Sequence, residues 1–269
     1  MDKVTMSAAP KEYRAPNGIF YRVEGEGEPL LLLHGLMVSG AMFDPLVKLL
    51  RDEFRMLIPD LRGHGRSGDL AGPYDVAALA ADLDIVLAEA RFDRSAVMGY
   101  SHGGAVAQQL AHTRPAVISK LILACTYACN VATLRERIEA GVLSTLLRLV
   151  SPGTIGKLMI FASKPKATGA IALTREQAEW LQSLMAANRA PAMRGAARGL
   201  ITFDSRPWLK EITVPTLVVG GTHDKAVPRH HFDTLARGIP GAIGRLIDGA
   251  GHTLIWTHMR EFAQIVCAH

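Results

Sequence analysis

A short glycine pattern between a buried strand and a helix constrains this chain more than any other feature of its sequence. Gly99 and Gly103 flank Tyr100, Ser101 and His102, after the apolar run SAVM and before the helical pattern GGAVAQQLAH. A sharp turn from strand to helix brings the two glycine positions close together, so both must be small. The same turn projects the serine hydroxyl above the sheet, at a helix N-terminus that favours negative charge. The pattern therefore predicts that Ser101 is a nucleophile.

Continuous apolar runs alternate with helical patterns along most of the chain. Strand patterns occur between about residues 10 and 33, at 54–60, in SAVMGYS, in KLILACTY, and at 216–221 and 243–249. A strand that is apolar throughout is covered on both faces, and strands that alternate with helices form parallel sheets. We therefore predict an α/β fold with a mostly parallel, doubly wound sheet.

The alternation stops over residues 128–208, which show helical patterns and no convincing strand. Thr174 to Gln177 has the spacing of a capping box, which marks the start of a helix. Helices inserted before the last two strands would cover the carboxyl ends of the strands, where α/β sheets bind ligands. We expect a core of residues 1–127 and 209–269 with a helical cap of residues 128–208.

A base and a carboxylate that could activate Ser101 follow the last two predicted strands. A serine hydroxyl needs a base to remove its proton, and the base needs a carboxylate to orient it. Asp224 follows the strand at 216–221, and His252 follows the strand at 243–249. The carboxyl ends of parallel strands meet at one edge of the sheet, so both side chains can reach the serine. We expect His252 to be the base and Asp224 to orient it.

Other polar residues near these strand ends are alternatives or have structural roles. Asp248 is the alternative acid if Asp224 does not serve. His223 precedes the predicted acid directly, which makes it unsuitable as the base. His34 and His64 are expected to shape their loops by hydrogen bonding to the backbone.

Acyl transfer also requires two preorganised N–H donors for the developing oxyanion. We assign this role to the backbone of His102, which follows the nucleophile, and to the backbone of Leu36. The side chain of His102 can either line the substrate pocket or pack on its helix, and we assign it to the pocket. Leu147 and Met159, from an aliphatic set between residues 142 and 161, are expected to line the pocket as well.

Together these motifs resemble the α/β-hydrolase superfamily. The residues that carry the resemblance are HG at 34–35, PDLRGHGRS at 59–67, GYSHGG at 99–104, GGTHD at 220–224 and GAGH at 249–252. The combination is similar to the branch that contains 3-oxoadipate enol-lactonases, small carboxylesterases and cofactor-free haloperoxidases. That resemblance implies a Ser–His–Asp mechanism without a metal or an organic cofactor. Epoxide hydrolases and haloalkane dehalogenases of this fold have aspartate where Ser101 stands.

Hydrolysis of a carboxylic ester or lactone through an acyl-enzyme is the function that the sequence favours. An acyltransferase or perhydrolase would use the same acyl-enzyme and stays an alternative. Carbon–carbon bond hydrolases of this fold typically carry tryptophan after the catalytic histidine, whereas Thr253 follows His252 here. A receptor without turnover would most simply have lost one of the three residues, and this chain has all three.

The composition limits the partners that such a protein would have. The net charge is +5, but lysines and arginines are scattered without a basic run, so no nucleic-acid partner is expected. No apolar stretch reaches the ~20 residues needed to span a bilayer, and the charged N-terminus lacks an apolar signal segment. Three cysteines cannot form a fully paired disulfide framework, and no metal ligands cluster in the sequence. We expect a cytoplasmic protein whose partner is a small-molecule ester or lactone.

Overall fold

The computed structural model describes residues 10–162 and 171–269, and its centre is a mixed β-sheet. The strands are β1 (Lys11–Arg14), β2 (Phe20–Glu24), β3 (Glu28–Leu33), β4 (Phe54–Pro59), β5 (Ser95–Tyr100), β6 (Ile118–Ala124), β7 (Thr216–Gly221) and β8 (Ile243–Ile247). Their order across the sheet is β1-β2-β4-β3-β5-β6-β7-β8. The pairs β1–β2 and β2–β4 are antiparallel, and the other five pairs are parallel. The predicted mostly parallel sheet is confirmed.

Helices cover both faces of this sheet. They are α1 (Asp44–Leu50), α2 (Val76–Ala90), α3 (His102–Thr113), α4 (Leu134–Leu149), α5 (Pro152–Ala162), α6 (Arg175–Ala186), α7 (Ala190–Thr202), α8 (Arg229–Gly238), α9 (Leu254–Thr257) and α10 (Met259–Cys267). Buried residues of α2, α3 and α8 pack on one face, and those of α1 and α10 pack on the other. Within the described ranges, none of these helices has the length and apolar character that crossing a bilayer requires.

Strand β3 shows why the sequence produces two buried faces. Leu30, Leu31, Leu32 and Leu33 are all fully buried. Because successive side chains of a strand point to opposite faces, Leu31 and Leu33 join one hydrophobic cluster and Leu30 and Leu32 join the other. Each fully buried leucine stabilises the fold by about 1.5–3 kcal/mol. The continuous apolar run in the sequence is therefore the signature of a central strand.

The turn from β5 to α3 is as tight as the glycine pattern predicts. Ser101 has φ 53° and ψ −119°, a backbone conformation that L-residues rarely adopt. A Cβ atom at Gly99 would lie 2.4 Å from the carbonyl oxygen of Gly103. A Cβ atom at Gly103 would lie 2.2 Å from the carbonyl oxygen of Leu33 in β3. The small residues allow α3 to start directly against the neighbouring strand.

The described residues between β6 and β7 form the helices α4 to α7. The predicted capping box at Thr174 is present, since its hydroxyl accepts a hydrogen bond from the Gln177 N–H and the Gln177 side chain accepts one from the Thr174 N–H. A second capping box, between Thr133 and Glu136, starts α4 and was not predicted. The ends of the insertion meet where Cys129 forms an isolated antiparallel bridge with Asp204. The division into a core and a cap of residues 128–208 stays a prediction.

Replacing Gly103 by alanine should destabilise the protein by about 2–3 kcal/mol, because the added methyl group overlaps the backbone of β3. Gly141→Ala is the matched control, since no atom lies within 4 Å of a Cβ at this position in α4. We expect the control to stabilise the protein by about 0.5–1 kcal/mol through helix propensity. Urea unfolding of both variants measures the two effects. Equal stabilities would show that α3 can move away from β3 without loss.

Candidate active site

Ser101 lies at the carboxyl end of β5, and hydrogen bonds hold its backbone on both sides. Its N–H donates to the carbonyl of Ala124 in β6 at 2.9 Å. Its own carbonyl accepts a hydrogen bond from the Thr126 hydroxyl at 2.6 Å. These bonds offset the cost of the strained backbone, which is about 1–3 kcal/mol for such a residue. The serine hydroxyl is thereby held at one position above the sheet edge.

The structure brings the three predicted residues together in one hydrogen-bonded chain. The Ser101 hydroxyl oxygen lies 3.2 Å from Nε2 of His252. Nδ1 of His252 donates to the Asp224 carboxylate at 2.8 Å. The other carboxylate oxygen accepts from the N–H groups of Ala226 and Val227 at 2.9 Å and 2.8 Å. A neutral imidazole in this tautomer can accept the serine proton at Nε2.

The loops after β7 and β8 hold this chain in place by contacting each other. The N–H of His223 donates to the carbonyl of Ala250 at 2.8 Å, and a Cβ at Gly221 would lie 2.2 Å from the same oxygen. The Tyr100 hydroxyl donates to the carbonyl of His252 at 2.5 Å. The imidazole is therefore positioned from the ends of three strands, β5, β7 and β8.

The carboxylate controls the protonation of the imidazole. Burial by itself lowers the pKa of His252, but the charge of Asp224 and its hydrogen bond outweigh burial, so that the pKa lies above the ordinary value of 6.5. The Asp224 side chain is only 3% exposed. A buried carboxylate at this distance stabilises the imidazolium that would form when Ser101 loses its proton.

A cavity of about 400 Å³ opens onto Ser101 and His252. Most of its wall is apolar, and the apolar lining includes Leu36, Met37, Leu143, Met159, Ile160, Leu181, Met185, Leu200, Val227 and Trp256. The described polar lining includes Asn130, Glu136, Glu139 and His231. An apolar cavity with a few polar groups beside a nucleophile is typical of a small-molecule site.

The two backbone positions expected to bind an oxyanion lie on either side of the nucleophile. His102 follows Ser101 directly as the first residue of α3. Leu36 lies in the cavity wall, in the loop after β3. This loop lies close to the nucleophile. A Cβ atom at Gly35 would lie 3.4 Å from Cβ of Ser101 and 3.9 Å from its hydroxyl oxygen. The donor roles of both N–H groups stay predictions.

The expected pocket residues differ in where they lie. Met159 lines the cavity as expected. The side chain of His102 is instead fully buried, with Nδ1 3.4 Å from the Tyr127 hydroxyl, so its assignment to the pocket is wrong. Leu147 is also fully buried, within a hydrophobic cluster, and is not among the residues that line the cavity, so its assignment to the pocket is wrong as well. A helical residue's direction depends on how its helix packs, which the aliphatic pattern alone does not specify.

The remaining candidates keep structural roles. His34 donates from Nδ1 to the Gly35 carbonyl at 2.8 Å and accepts at Nε2 from the Leu61 N–H at 2.9 Å, as the loop-shaping prediction requires. Burial lowers its pKa to about 4, so it is neutral at neutral pH. His64 is fully buried as well, with its pKa lowered to about 3. Asp248 accepts from the Thr222 hydroxyl at 3.1 Å.

Two groups of potential metal ligands come together in the described residues, although the sequence shows no cluster. The first is Cys125, Asp224 and His252, in which the last two form the hydrogen-bonded chain already described. The second is Glu136 with His230 and His231, in which both imidazoles lie 2.9 Å from one carboxylate oxygen. This second group was not predicted from the sequence. The capping-box spacing of Thr133 and Glu136 was the only signal for it, and that spacing does not indicate the histidine contacts.

Comparison with known proteins places this chain in a family. The sequence model described as the alpha/beta hydrolase fold matches residues 28–259. The pimeloyl-(acyl-carrier protein) methyl ester esterase of Aliivibrio salmonicida is 28% identical over 254 residues, which cover 91% of this chain and 92% of that protein.

Solved structures agree with this assignment. The bromoperoxidase from Bacillus anthracis has a TM-score of 0.87 at 20% identity, and the match covers 96% of this chain and 99% of that chain. The enol-lactonase from Burkholderia xenovorans LB400 has a TM-score of 0.82 at 22% identity, with 96% and 98% covered. At these identities the two structures show a shared fold. The resemblance stated from the sequence is confirmed.

The His252–Asp224 contact predicts a specific pH dependence. Esterase activity should rise with pH as His252 loses its proton, with a midpoint above 6.5 because Asp224 raises this pKa. Asp224→Asn removes the negative charge that raises the pKa of His252, so the midpoint should move to lower pH. The same substitution should lower kcat about 10³–10⁴-fold. Rates with p-nitrophenyl acetate from pH 5 to 9 measure both effects. Asp248→Asn is the control and should change kcat less than about twofold; the opposite ranking would make Asp248 the acid.

Proposed function

The chain belongs to the α/β-hydrolase-fold family, and on this premise we propose that it hydrolyses a carboxylic ester or lactone through an acyl-enzyme on Ser101. Its family and its esterase relative make it a hydrolase enzyme of the esterase type. The observation that carries the finer proposal is the continuous chain from Ser101 through His252 to Asp224, in which Ser101 and His252 line an apolar cavity. The completeness of this chain argues against a receptor without turnover.

The first half of the reaction forms the acyl-enzyme. The Ser101 oxygen attacks the substrate carbonyl while Nε2 of His252 accepts the hydroxyl proton, and Asp224 stabilises the resulting imidazolium. The backbone N–H groups of Leu36 and His102 donate to the oxyanion of the tetrahedral intermediate. The intermediate collapses, the bond to the alcohol oxygen breaks, and the alcohol leaves with the proton from Nε2. In a lactone the alcohol stays attached to the acyl group.

The second half returns the enzyme to its starting state. A water molecule gives a proton to Nε2 of His252 and attacks the acyl carbonyl, and a second oxyanion is stabilised by the same N–H groups. Collapse releases the carboxylic acid, and the proton on Nε2 returns to Ser101. One such oxyanion donor contributes about 10²–10³-fold to kcat in a comparable serine enzyme. Every proton transfer uses groups of this chain, the substrate or water.

The cavity supports a small substrate with an apolar acyl or alkyl part. Its lining is mainly aliphatic and methionine, and flexible methionine side chains adapt to varied shapes. The relative from Aliivibrio salmonicida is an esterase for a methyl ester, which agrees with ester chemistry at this site. A location in the cytoplasm remains a prediction from the sequence.

Ser101 should form one covalent adduct with a fluorophosphonate, because the neighbouring imidazole makes its hydroxyl nucleophilic. Intact-mass spectrometry should show a single added mass on the wild-type protein and none on Ser101→Ala. Ser67→Ala is a control for nonspecific loss of labelling, since Ser67 is buried and its hydroxyl oxygen accepts a hydrogen bond from the Phe20 N–H in β2. Labelling that persists in Ser101→Ala would falsify the assignment of the nucleophile.

The apolar lining predicts that kcat/KM rises with acyl length until the cavity is full. Each methylene transferred from water contributes about 0.8 kcal/mol, which corresponds to about a fourfold rise per carbon. Met159→Ala should move the optimum of a p-nitrophenyl ester series from acetate to decanoate toward longer chains. Leu158→Ala is the control, because this neighbour is 53% exposed. A series that falls steadily from acetate would show that the aliphatic wall does not bind the acyl group.

A further inference from the structure

A buried carboxylate lies in the wall of the apolar cavity. Glu136, in the first turn of α4, lines the cavity, and its side chain is only 9% exposed. Its Oε2 accepts from the N–H of Thr133 at 2.8 Å. Its Oε1 lies 2.9 Å from Nε2 of His231 and 2.9 Å from Nε2 of His230, both in α8. Two elements distant in sequence therefore fix the carboxylate at the cavity.

These contacts leave the carboxylate negative where it lines the cavity. Burial alone raises the pKa of Glu136, but the Thr133 N–H and the nearby imidazoles outweigh it and lower the pKa below 4.5. Burial and the neighbouring His230 lower the pKa of His231, so His231 is neutral at neutral pH and does not cancel the charge. A carboxylate has about four acceptor positions. The Thr133 N–H, the Thr133 hydroxyl and the two imidazoles contact it, so a donor group of a substrate would share one oxygen with one of these partners.

The surroundings of Glu136 in the cavity have the same sign of charge. Glu139, one turn further along α4, lines the cavity too, and Asn130 adds a neutral polar group. Among the described residues that line the cavity there is no lysine or arginine. Because Glu139 pairs with Arg135, an anionic group of a substrate would meet like charge chiefly at Glu136, whereas a donor group would meet an acceptor.

We propose that Glu136 anchors a polar subsite that binds a hydroxyl or ammonium group of the substrate away from the scissile carbonyl and rejects a carboxylate. The inference rests on the proposed ester hydrolysis, because it names the substrate class of the same cavity. The substrates are then esters or lactones whose apolar chain carries a hydrogen-bond donor. Esters or lactones that carry a free carboxylate on the same chain are excluded.

Burial is what gives one carboxylate this selectivity. An ion pair or hydrogen bond at an exposed site is weakened by water, but a group that enters this wall loses its own water shell. A donor regains a charge-assisted hydrogen bond to Glu136, which is stronger than a neutral one. A carboxylate on the substrate gains no hydrogen bond from Glu136 and is repelled by its charge. The subsite therefore separates substrates of equal chain length by the group at the end of the chain.

Binding measured without turnover tests the subsite separately from the reaction. Hexylamine, 1-hexanol and hexanoate share one chain, and calorimetric titration into Ser101→Ala gives their Kd values. We expect hexylammonium to bind at least tenfold more tightly than hexanoate, with hexanol between them. Equal or tighter binding of hexanoate would overturn the proposal. Hydrolysis of p-nitrophenyl acetate by the wild-type enzyme tests the proposed function separately. If the wild-type enzyme does not hydrolyse this ester, the Kd values still test the subsite.

Glu136→Gln in the same Ser101→Ala background assigns the preference to this residue. Glutamine keeps the carbonyl that accepts from Thr133, so the start of α4 is preserved, which circular dichroism verifies. The advantage of hexylammonium over hexanoate should shrink about tenfold. Glu139→Gln is the matched control, because its side chain is 56% exposed and pairs with Arg135, and it should change the ratio less than about threefold. An unchanged ratio in Glu136→Gln, or a larger change in the control, would reject the role of Glu136.

Discussion

The close approach of α3 to β3 at Gly103 is the constraint on which the rest of the structure depends. The helix begins within a distance of the Leu33 carbonyl that leaves no room for a Cβ atom. The residue before the helix must then adopt the strained backbone of Ser101, and the bonds from Thr126 and to Ala124 hold it there. The strain is of the order of 1–3 kcal/mol, which a sheet buried on both faces can offset. The position of the nucleophile follows from packing in the centre of the core.

The two buried carboxylates of the cavity region illustrate two uses of the same group. Asp224 is satisfied by its own loop and by His252, so its charge acts on one imidazole. Glu136 is satisfied by a helix start and by two histidines of another element, and it also lines the cavity. Burial without partners would be costly for either one. Because their partners differ, Asp224 acts on the catalytic imidazole, whereas Glu136 is proposed to select the substrate.

Sequence reasoning predicted the parts of the site that depend on topology. Ser101, Asp224 and His252 each follow a strand, and parallel strands bring such positions to one edge whatever the packing details. Strand topology does not predict the direction in which a side chain points. His102 turns inward onto Tyr127 because its helix packs closely on β3, and Leu147 faces the core. The contact between Glu136 and His231 joins residues 95 positions apart, and no local pattern reports how an inserted helix meets α8.

The distance along the chain between interacting residues has a consequence for folding kinetics. The Ser101–His252 contact closes a loop of 151 residues, and the Glu136–His231 contact closes one of 95. Loop closure costs entropy before such contacts contribute stability, and folds dominated by non-local pairs form slowly. Strands β3 to β6 can assemble around Ser101 before β7 and β8 dock and bring the carboxylate and imidazole. The return of enzyme activity on refolding would then report the last step of assembly, in which the site is completed.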